Sequence, residues 1–370
     1  MRRLVRGRLP DGRPVEIACE RGAISGVSPA ADDAGLVTLL PGLVDLQVNG
    51  FAGFDVNEEG LLPDTVHWLV DALRAHGTTR FAPTIITGSE ERIRSALRAI
   101  VTARRERHET RRAIPCINIE GHFLSTADGA RGAHDAAWIR PPSIAEFERW
   151  RADAPGLIGI VTIAPEWPEA PEWIRHATAA GVRVALGHSA ADGDHIRAAA
   201  EAGASLSTHL GNGVAALLPR HPNLIWAQLA DDRLSALLIA DGHHLPPDTF
   251  RAMVRAKGVQ RCVLTSDAVA LAGLPAGEYT TPVGGRVVIA ADGSIRLPCS
   301  TLLAGSGATL IECVRWAAAS GGVTLAEAAA MACEQPAALL GIDVPMGLVP
   351  GAPADIQTLD GVWLAPTDGP

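Results

Sequence analysis

Four short hydrophobic runs in this chain each stop at a residue able to bind a metal or carry a proton. Ile114–Ile119 leads into Glu120, Val182–Gly187 into His188, Ser205–Thr208 into His209, and Arg261–Ser266 into Asp267. One carboxylate and two imidazoles form the ligand set of a catalytic divalent ion with a position left open for water. An aspartate beside such an ion can accept a proton from water and later return it to a leaving group. Taken singly, each has an ordinary explanation. A glutamate after a strand often caps the next helix, and a histidine in Gly187-His-Ser189 can be a hydrogen-bonded loop residue. Recurrence at four run ends is what points to a reaction centre. Ala240-Asp-Gly-His-His244 adds a polar, flexible rim suited to an oxygen-rich ligand.

Such endings need a scaffold that brings several strand tips to one face. Eight strand candidates read along the chain as 43–48, 79–83, 114–119, 157–164, 182–187, 205–208, 234–239 and 261–266. Helix-like segments separate most of them, for example 61–76, 90–107, 171–180 and 192–202. This alternation predicts an α/β fold, a (β/α)8 TIM-like barrel whose catalytic rim lies at the C-terminal ends of its strands. The first forty residues instead alternate short β-like runs with turns, and strand-and-turn texture returns at 346–360. The expected domains are therefore a small β-sandwich from residues 1–41 and 345–370, and a barrel over 42–344. Residues 271–298, rich in Gly, Pro and short β runs, read as a hairpin insertion near the site, followed by helices at 306–319 and 325–333.

Composition narrows the function classes. A net charge of −9 and the lack of any basic run argue against nucleic-acid binding. No apolar run approaches the roughly 20 residues that cross a bilayer, and the basic start at Met1 is not followed by an apolar stretch, so neither a membrane nor a secretory leader is expected. The six cysteines are scattered without a Cys-x-x-Cys pair, the pattern of reduced, buried thiols in a cytoplasmic protein.

At this point the chain resembles the amidohydrolase superfamily, and within it the N-acetylglucosamine-6-phosphate deacetylases. The matching segments run in order. They are Pro41-Gly-Leu-Val-Asp-Leu-Gln-Val-Asn-Gly50, Ile119-Glu-Gly121, Gly187-His-Ser189, Thr208-His-Leu-Gly-Asn212, Ile239-Ala-Asp-Gly-His-His244, Thr265-Ser-Asp-Ala268, Leu303-Ala-Gly-Ser306 and Gly347–Asp355. The resemblance implies Glu120, His188 and His209 as metal ligands and Asp267 as general base and acid. It implies His134 as the group that polarises the substrate carbonyl. Asn212, the backbone of Gly213, and His244 match sugar-phosphate contacts. Arg220 falls where the family places an arginine reaching the phosphate of a neighbouring subunit, which implies a homodimer. The implied activity is hydrolysis of the acetamide of N-acetylglucosamine 6-phosphate to glucosamine 6-phosphate and acetate.

Many amidohydrolases bind a second ion through His-x-His on strand one, and here that place reads Gln47-Val-Asn49. Neutral amides are poorer ligands than imidazole for a borderline ion, so one divalent ion is expected, Zn2+ first among the candidates. Lys257, the single lysine, precedes strand eight inside a helix-like stretch and cannot serve as a bridging carbamylated lysine. Two departures touch the pocket. His122 replaces the proline of the usual Glu-Gly-Pro and adds a donor, or a further ligand, beside the centre. Gly211-Asn-Gly-Val214 replaces bulkier residues of the pocket wall. The alternatives kept open are an N-acetylgalactosamine 6-phosphate or other N-acyl amino-sugar deacetylase, and an N-acyl-D-amino-acid deacylase.

Overall fold

The computed structural model describes residues 2–281, 285–298 and 302–365. Eight parallel strands form one sheet in sequential order, Leu43–Val48, Thr78–Ile86, Ile117–Glu120, Ile158–Ile163, Arg183–Leu186, Leu206–Ser207, Ser235–Ile239 and Cys262–Thr265. The sheet closes where the eighth strand meets the first. Asp267 N donates to Gln47 O at 3.0 Å, and Asn49 N donates to Ala268 O at 2.8 Å. This closure lies at the C-terminal rim, so barrel formation itself sets Asp267 beside Gln47 and Asn49.

The strands coincide with the hydrophobic runs, trimmed at their ends. The third begins only at Ile117, after Pro115, which cannot donate to a ladder. Its last residue is Glu120 itself. Val44, Leu46, Ile160, Ala185, Leu206, Leu237 and Val263 pack together with Ala337 of the helix Glu334–Leu340, an element not predicted from the sequence. A larger cluster joins the strands to the surrounding helices, with Trp150, Trp173, Phe123 and Phe147 at most 1 % exposed. Side-chain caps fix where several helices start. Ser89 caps Glu90–Glu106, Ser143 caps Ile144–Asp153, and Asp192 caps Gly193–Ala202. The helix expected from residue 306 starts instead at Leu310, because Thr309 and Glu312 form a reciprocal capping box there.

Residues before the barrel form an antiparallel sheet of Arg3–Arg8, Pro14–Glu20 and Ala23–Pro29. Leu39–Pro41 pairs with Ile356–Thr358, which pairs with Trp363–Ala365, so opposite ends of the sequence share one sheet. The hairpin Gly277–Thr281 and Gly285–Ile289, with Ile295–Arg296, has its own small core of Leu271, Val287, Ile289 and Ile295. Five cysteines are free and buried, while Cys299 lies outside the described residues. Among the described residues no helix is long and apolar enough to cross a membrane.

Candidate active site

Three of the strand-end residues converge to within hydrogen-bonding distance. Glu120 Oε1 lies 3.0 Å from His209 Nε2 and 3.4 Å from His188 Nε2, and the two imidazole nitrogens are 3.0 Å apart. His188 Nδ1 donates to Ala130 O at 2.9 Å, which leaves its Nε2 as a lone pair. Three acceptor sites therefore meet where at most one proton, that of His209, is available. A cation resolves that crowding. Bonds of about 2.0–2.2 Å place tetrahedral ligands roughly 3.4 Å apart, close to the separations seen. The donor set is thus one that fits a divalent ion. Glu120, His134 and His188 also offer donors within 4.8 Å of one another. That grouping is looser, and Nδ1 of His134 is engaged by Thr87 Oγ1 at 2.9 Å. The tighter trio is the better cradle.

The backbone is bent to achieve this. His188, His209 and Asp267 have φ of 47°, 28° and 51°, the left-handed region that costs an L-residue energy and recurs at functional sites. Each turn is braced. Glu166 accepts from Ser189 Oγ at 2.8 Å and from Ala190 N at 2.9 Å, and Ser125 N donates to His188 O. Asp45 accepts from Thr265 Oγ1 at 2.7 Å and from Ser266 N, directly before Asp267. The His188 ring lies close against two glycines. A Cβ on Gly132 would lie 3.0 Å from its Cε1, and one on Gly213 would lie 2.8 Å from its Nδ1. Only glycine, free of a Cβ and at ease at φ of 61° and 59°, fits either place.

Strand one supplies the electrostatic partners. Gln47 Nε2 donates to Glu120 Oε2 at 2.7 Å, leaving Oε1 to face the histidines. Asn49 Nδ2 donates to Asp267 Oδ1 at 2.8 Å. The amides of Gln47 and Asn49 thus hold the two carboxylates of the site. Burial and the nearby negative charge of Glu120 push the Asp267 carboxyl up to about 7, against the pull of His209 and His244. Glu120 itself is held well below the carboxylate range. Burial opposes this, but the charge and hydrogen bond of His209 outweigh it. His209 is raised in turn, the charge and hydrogen bond of Glu120 overcoming burial. Burial, then the neighbouring His188, lowers His134 to about 3, so it is a neutral imidazole.

Around this centre lies a cavity of about 660 Å³. Asn49, Glu120, His134, His188, His209, Asn212, Gly213, His244 and Asp267 all line it, with Val214, Ile225 and Leu302 on its apolar walls. Asn212 N donates to His209 O at 2.9 Å. His244 Nδ1 pairs with Asp241 Oδ2 at 2.7 Å, and His243 Nε2 reaches Asp292 O in the hairpin insertion at 3.1 Å. Arg220 is exposed and does not line this cavity. The expectation for His122 is corrected. Its backbone turns at φ 63°, and the ring is wholly buried, with Nδ1 2.6 Å from Glu146 Oε1 and Nε2 on Gly88 O. It supplies nothing to the cavity. Sequence reasoning also passed over Thr87, Glu166 and Asp45. Glu166 carried a signal in kind, since Ala164-Pro-Glu166 follows the fourth strand as Glu120 ends the third.

Comparison with known proteins identifies relatives of this chain. The amidohydrolase family pattern matches residues 38–368. An N-acetylgalactosamine-6-phosphate deacetylase of Escherichia coli O157:H7 is 34% identical over 343 residues, covering 92% of this chain and 89% of that protein. An N-acetylglucosamine-6-phosphate deacetylase of Vibrio furnissii is 30% identical over 356 residues, covering 93% and 86%. Among solved structures, an N-acetyl-D-glucosamine-6-phosphate deacetylase from Mycobacterium smegmatis superposes with a TM-score of 0.84 at 30% identity, covering 95% of this chain and 96% of that one. An aspartate-to-alanine mutant of that enzyme, in complex with N-acetyl-D-glucosamine-6-phosphate, matches with the same score and identity over 95% and 94%.

Proposed function

This chain belongs to the amidohydrolase family, and on that footing we propose that it hydrolyses the acetamide of N-acetylglucosamine 6-phosphate, releasing acetate and glucosamine 6-phosphate. The observation that carries the reading is the convergence of Glu120 Oε1, His188 Nε2 and His209 Nε2 within 3.0–3.4 Å, in a cavity that Asp267 also lines. Glu120, His188 and His209 would hold a single divalent ion, Zn2+ by donor chemistry. When bound, the ion supplies Lewis acidity, acidifying water and polarising a carbonyl.

The chain's own residues do the rest. Asp267, held by Asn49, takes the proton of the attacking water. It then delivers that proton to the departing amine, a step an amide requires because an amide anion is too basic to leave alone. His134 offers a hydrogen bond to the carbonyl oxygen as negative charge develops there, the kind of term that usually dominates acyl transfer. Asn212, the Gly213 backbone and His244, all lining the cavity, would bind the sugar phosphate. Arg220, on the surface of one protomer, is assigned to the phosphate of a partner subunit in a homodimer. Residues 1–41 with 345–370 are read as a β-sandwich domain beside the 42–344 barrel. Residence in the cytoplasm is part of the same reading and is supported by the free, buried cysteines.

The Escherichia coli relative favours one further reading, the galacto epimer as substrate. Acetate release from N-acetylglucosamine 6-phosphate, N-acetylgalactosamine 6-phosphate and the two unphosphorylated sugars separates the cases. The gluco phosphate should be the best of the four. Preference for the galacto phosphate would move the assignment to that epimer, and no release from any would overturn both.

A further inference from the structure

Thr87 follows directly on the second barrel strand and is 4 % exposed. Its hydroxyl meets two groups. The His122 backbone N–H donates to Oγ1 at 3.4 Å, and His134 Nδ1 lies 2.9 Å from the same oxygen. A hydroxyl owns one proton and two lone pairs. One lone pair is taken by His122 N–H, which leaves two arrangements toward His134. Were the imidazole proton on Nδ1, Oγ1 would accept twice and the Thr87 O–H would have no acceptor among the described residues. Buried polar groups are rarely left so. If Thr87 donates to Nδ1, every group is satisfied and the imidazole proton sits on Nε2.

From these contacts we infer that Thr87 is a positioning residue whose hydroxyl holds His134 in the Nε2–H tautomer, so that its cavity-facing nitrogen is a hydrogen-bond donor for the substrate carbonyl. His134 lines the cavity, and with Nδ1 engaged, Nε2 is the nitrogen left for a ligand. The tautomer has a second effect. The His134 ring is only 4.4 Å, centroid to centroid, from that of His188. A protonated Nε2 has no lone pair to offer a metal ion, so the hydroxyl also keeps His134 from displacing His209 in the ligand set. The hydrogen bond on the far nitrogen decides what the near nitrogen can do. The inference rests on the reading of His134 as the carbonyl-polarising group.

The test has two arms. Nitrogen-15 spectra of the Zn2+-loaded protein with labelled histidine, His134 identified by the signal lost in His134→Asn, should show Nε2 protonated and Nδ1 bare. In Thr87→Val, nearly isosteric but without the hydroxyl, that pattern should shift toward Nδ1–H. Turnover of whichever hexosamine phosphate the enzyme prefers should drop about tenfold or more in kcat, with KM little changed. Thr87→Ser should restore both spectrum and kcat, which a merely structural role for the threonine methyl would not allow. Nδ1–H in the wild-type spectrum would overturn the inference, as would a Thr87→Val enzyme with wild-type kcat. If His134→Asn itself keeps wild-type turnover, the parent reading of His134 fails instead, and the spectra still decide whether Thr87 sets the tautomer.

Discussion

Gly213→Ala tests the proposed cradle most directly, because the three atoms nearest the added methyl all belong to the His188 ring. It would sit 2.8 Å from His188 Nδ1, 3.0 Å from Cε1 and 3.1 Å from Cγ, where carbon contacts normally settle near ~3.5 Å. The ring also lies close to Gly132, and its Nδ1 is tied to Ala130 O at 2.9 Å. To escape, the imidazole must move by roughly half an ångström, beyond the tolerance of about 0.2 Å that metal–ligand distances allow. Two costs then separate. Placing alanine at φ 59° strains the backbone by about 1–2 kcal/mol whatever lies nearby. The displaced ring should weaken metal binding a further 10–100-fold, about 1.4–2.7 kcal/mol. Gly156→Ala isolates the first cost, since Gly156 has φ 68° and nothing within 4 Å of a new Cβ. Thermal unfolding of the metal-stripped proteins should fall by a few degrees in both variants. Competition with a chromophoric chelator for Zn2+ should show the affinity loss only in Gly213→Ala. Wild-type affinity in that variant would refute the claim that this glycine braces the ligand.

Asp267→Asn should retain bound metal, measured by elemental analysis, while kcat falls about 10²–10⁴-fold; turnover near wild type would remove Asp267 as the proton carrier. Glu146, bonded to His122 and Arg140, is lowered to about 2, burial opposing and those hydrogen bonds winning. Because its folded pKa lies below the unfolded value, its contribution is full above pH ~4.5 and drains away as pH falls toward 2. Urea titrations should therefore find Glu146→Gln less stable than wild type at pH 7, with the gap narrowing between pH 4.5 and 2; a gap that widens would reverse the assignment. Lys257 is fully buried, its Nζ donating to Gln228 O at 2.7 Å and to Asp231 O at 2.6 Å. Lys257→Met should cost about 2–3 kcal/mol by orphaning those carbonyls, read by urea unfolding, with metal content and kcat unchanged. A fall in metal content would mean that the lysine reaches the site after all.

The barrel strands were legible because a fully buried parallel strand is a continuous apolar run, and such a run must stop where the rim meets solvent and substrate. Glu120, His188, His209 and Asp267 stand at those stops, so their types and positions carried the site. What surrounds them was not legible, for a definite reason. Thr87, Glu166 and Asp45 act through partners 47, 23 and 220 residues away, and no local spacing encodes such a pairing. His122 misled because it stands two residues from Glu120, a candidate ligand. One left-handed residue rotates its ring out of the cavity and against Trp150, with centroids 5.7 Å apart. Gly213 was expected as a backbone contact to the sugar phosphate, and the space it leaves behind the His188 ring becomes visible only in three dimensions.

The left-handed turns at His188, His209 and Asp267 set a limit on how this protein can be improved. A screen for heat resistance alone would find them attractive targets, since replacing a strained residue by glycine relaxes the chain. Here the strained residues are the ones whose side chains make the centre. The hardiest variants from such a selection would be drawn toward well-folded, inert barrels. Directed evolution of this enzyme should therefore freeze the three rim turns and look for robustness in the outer helices and the chain-end sheets.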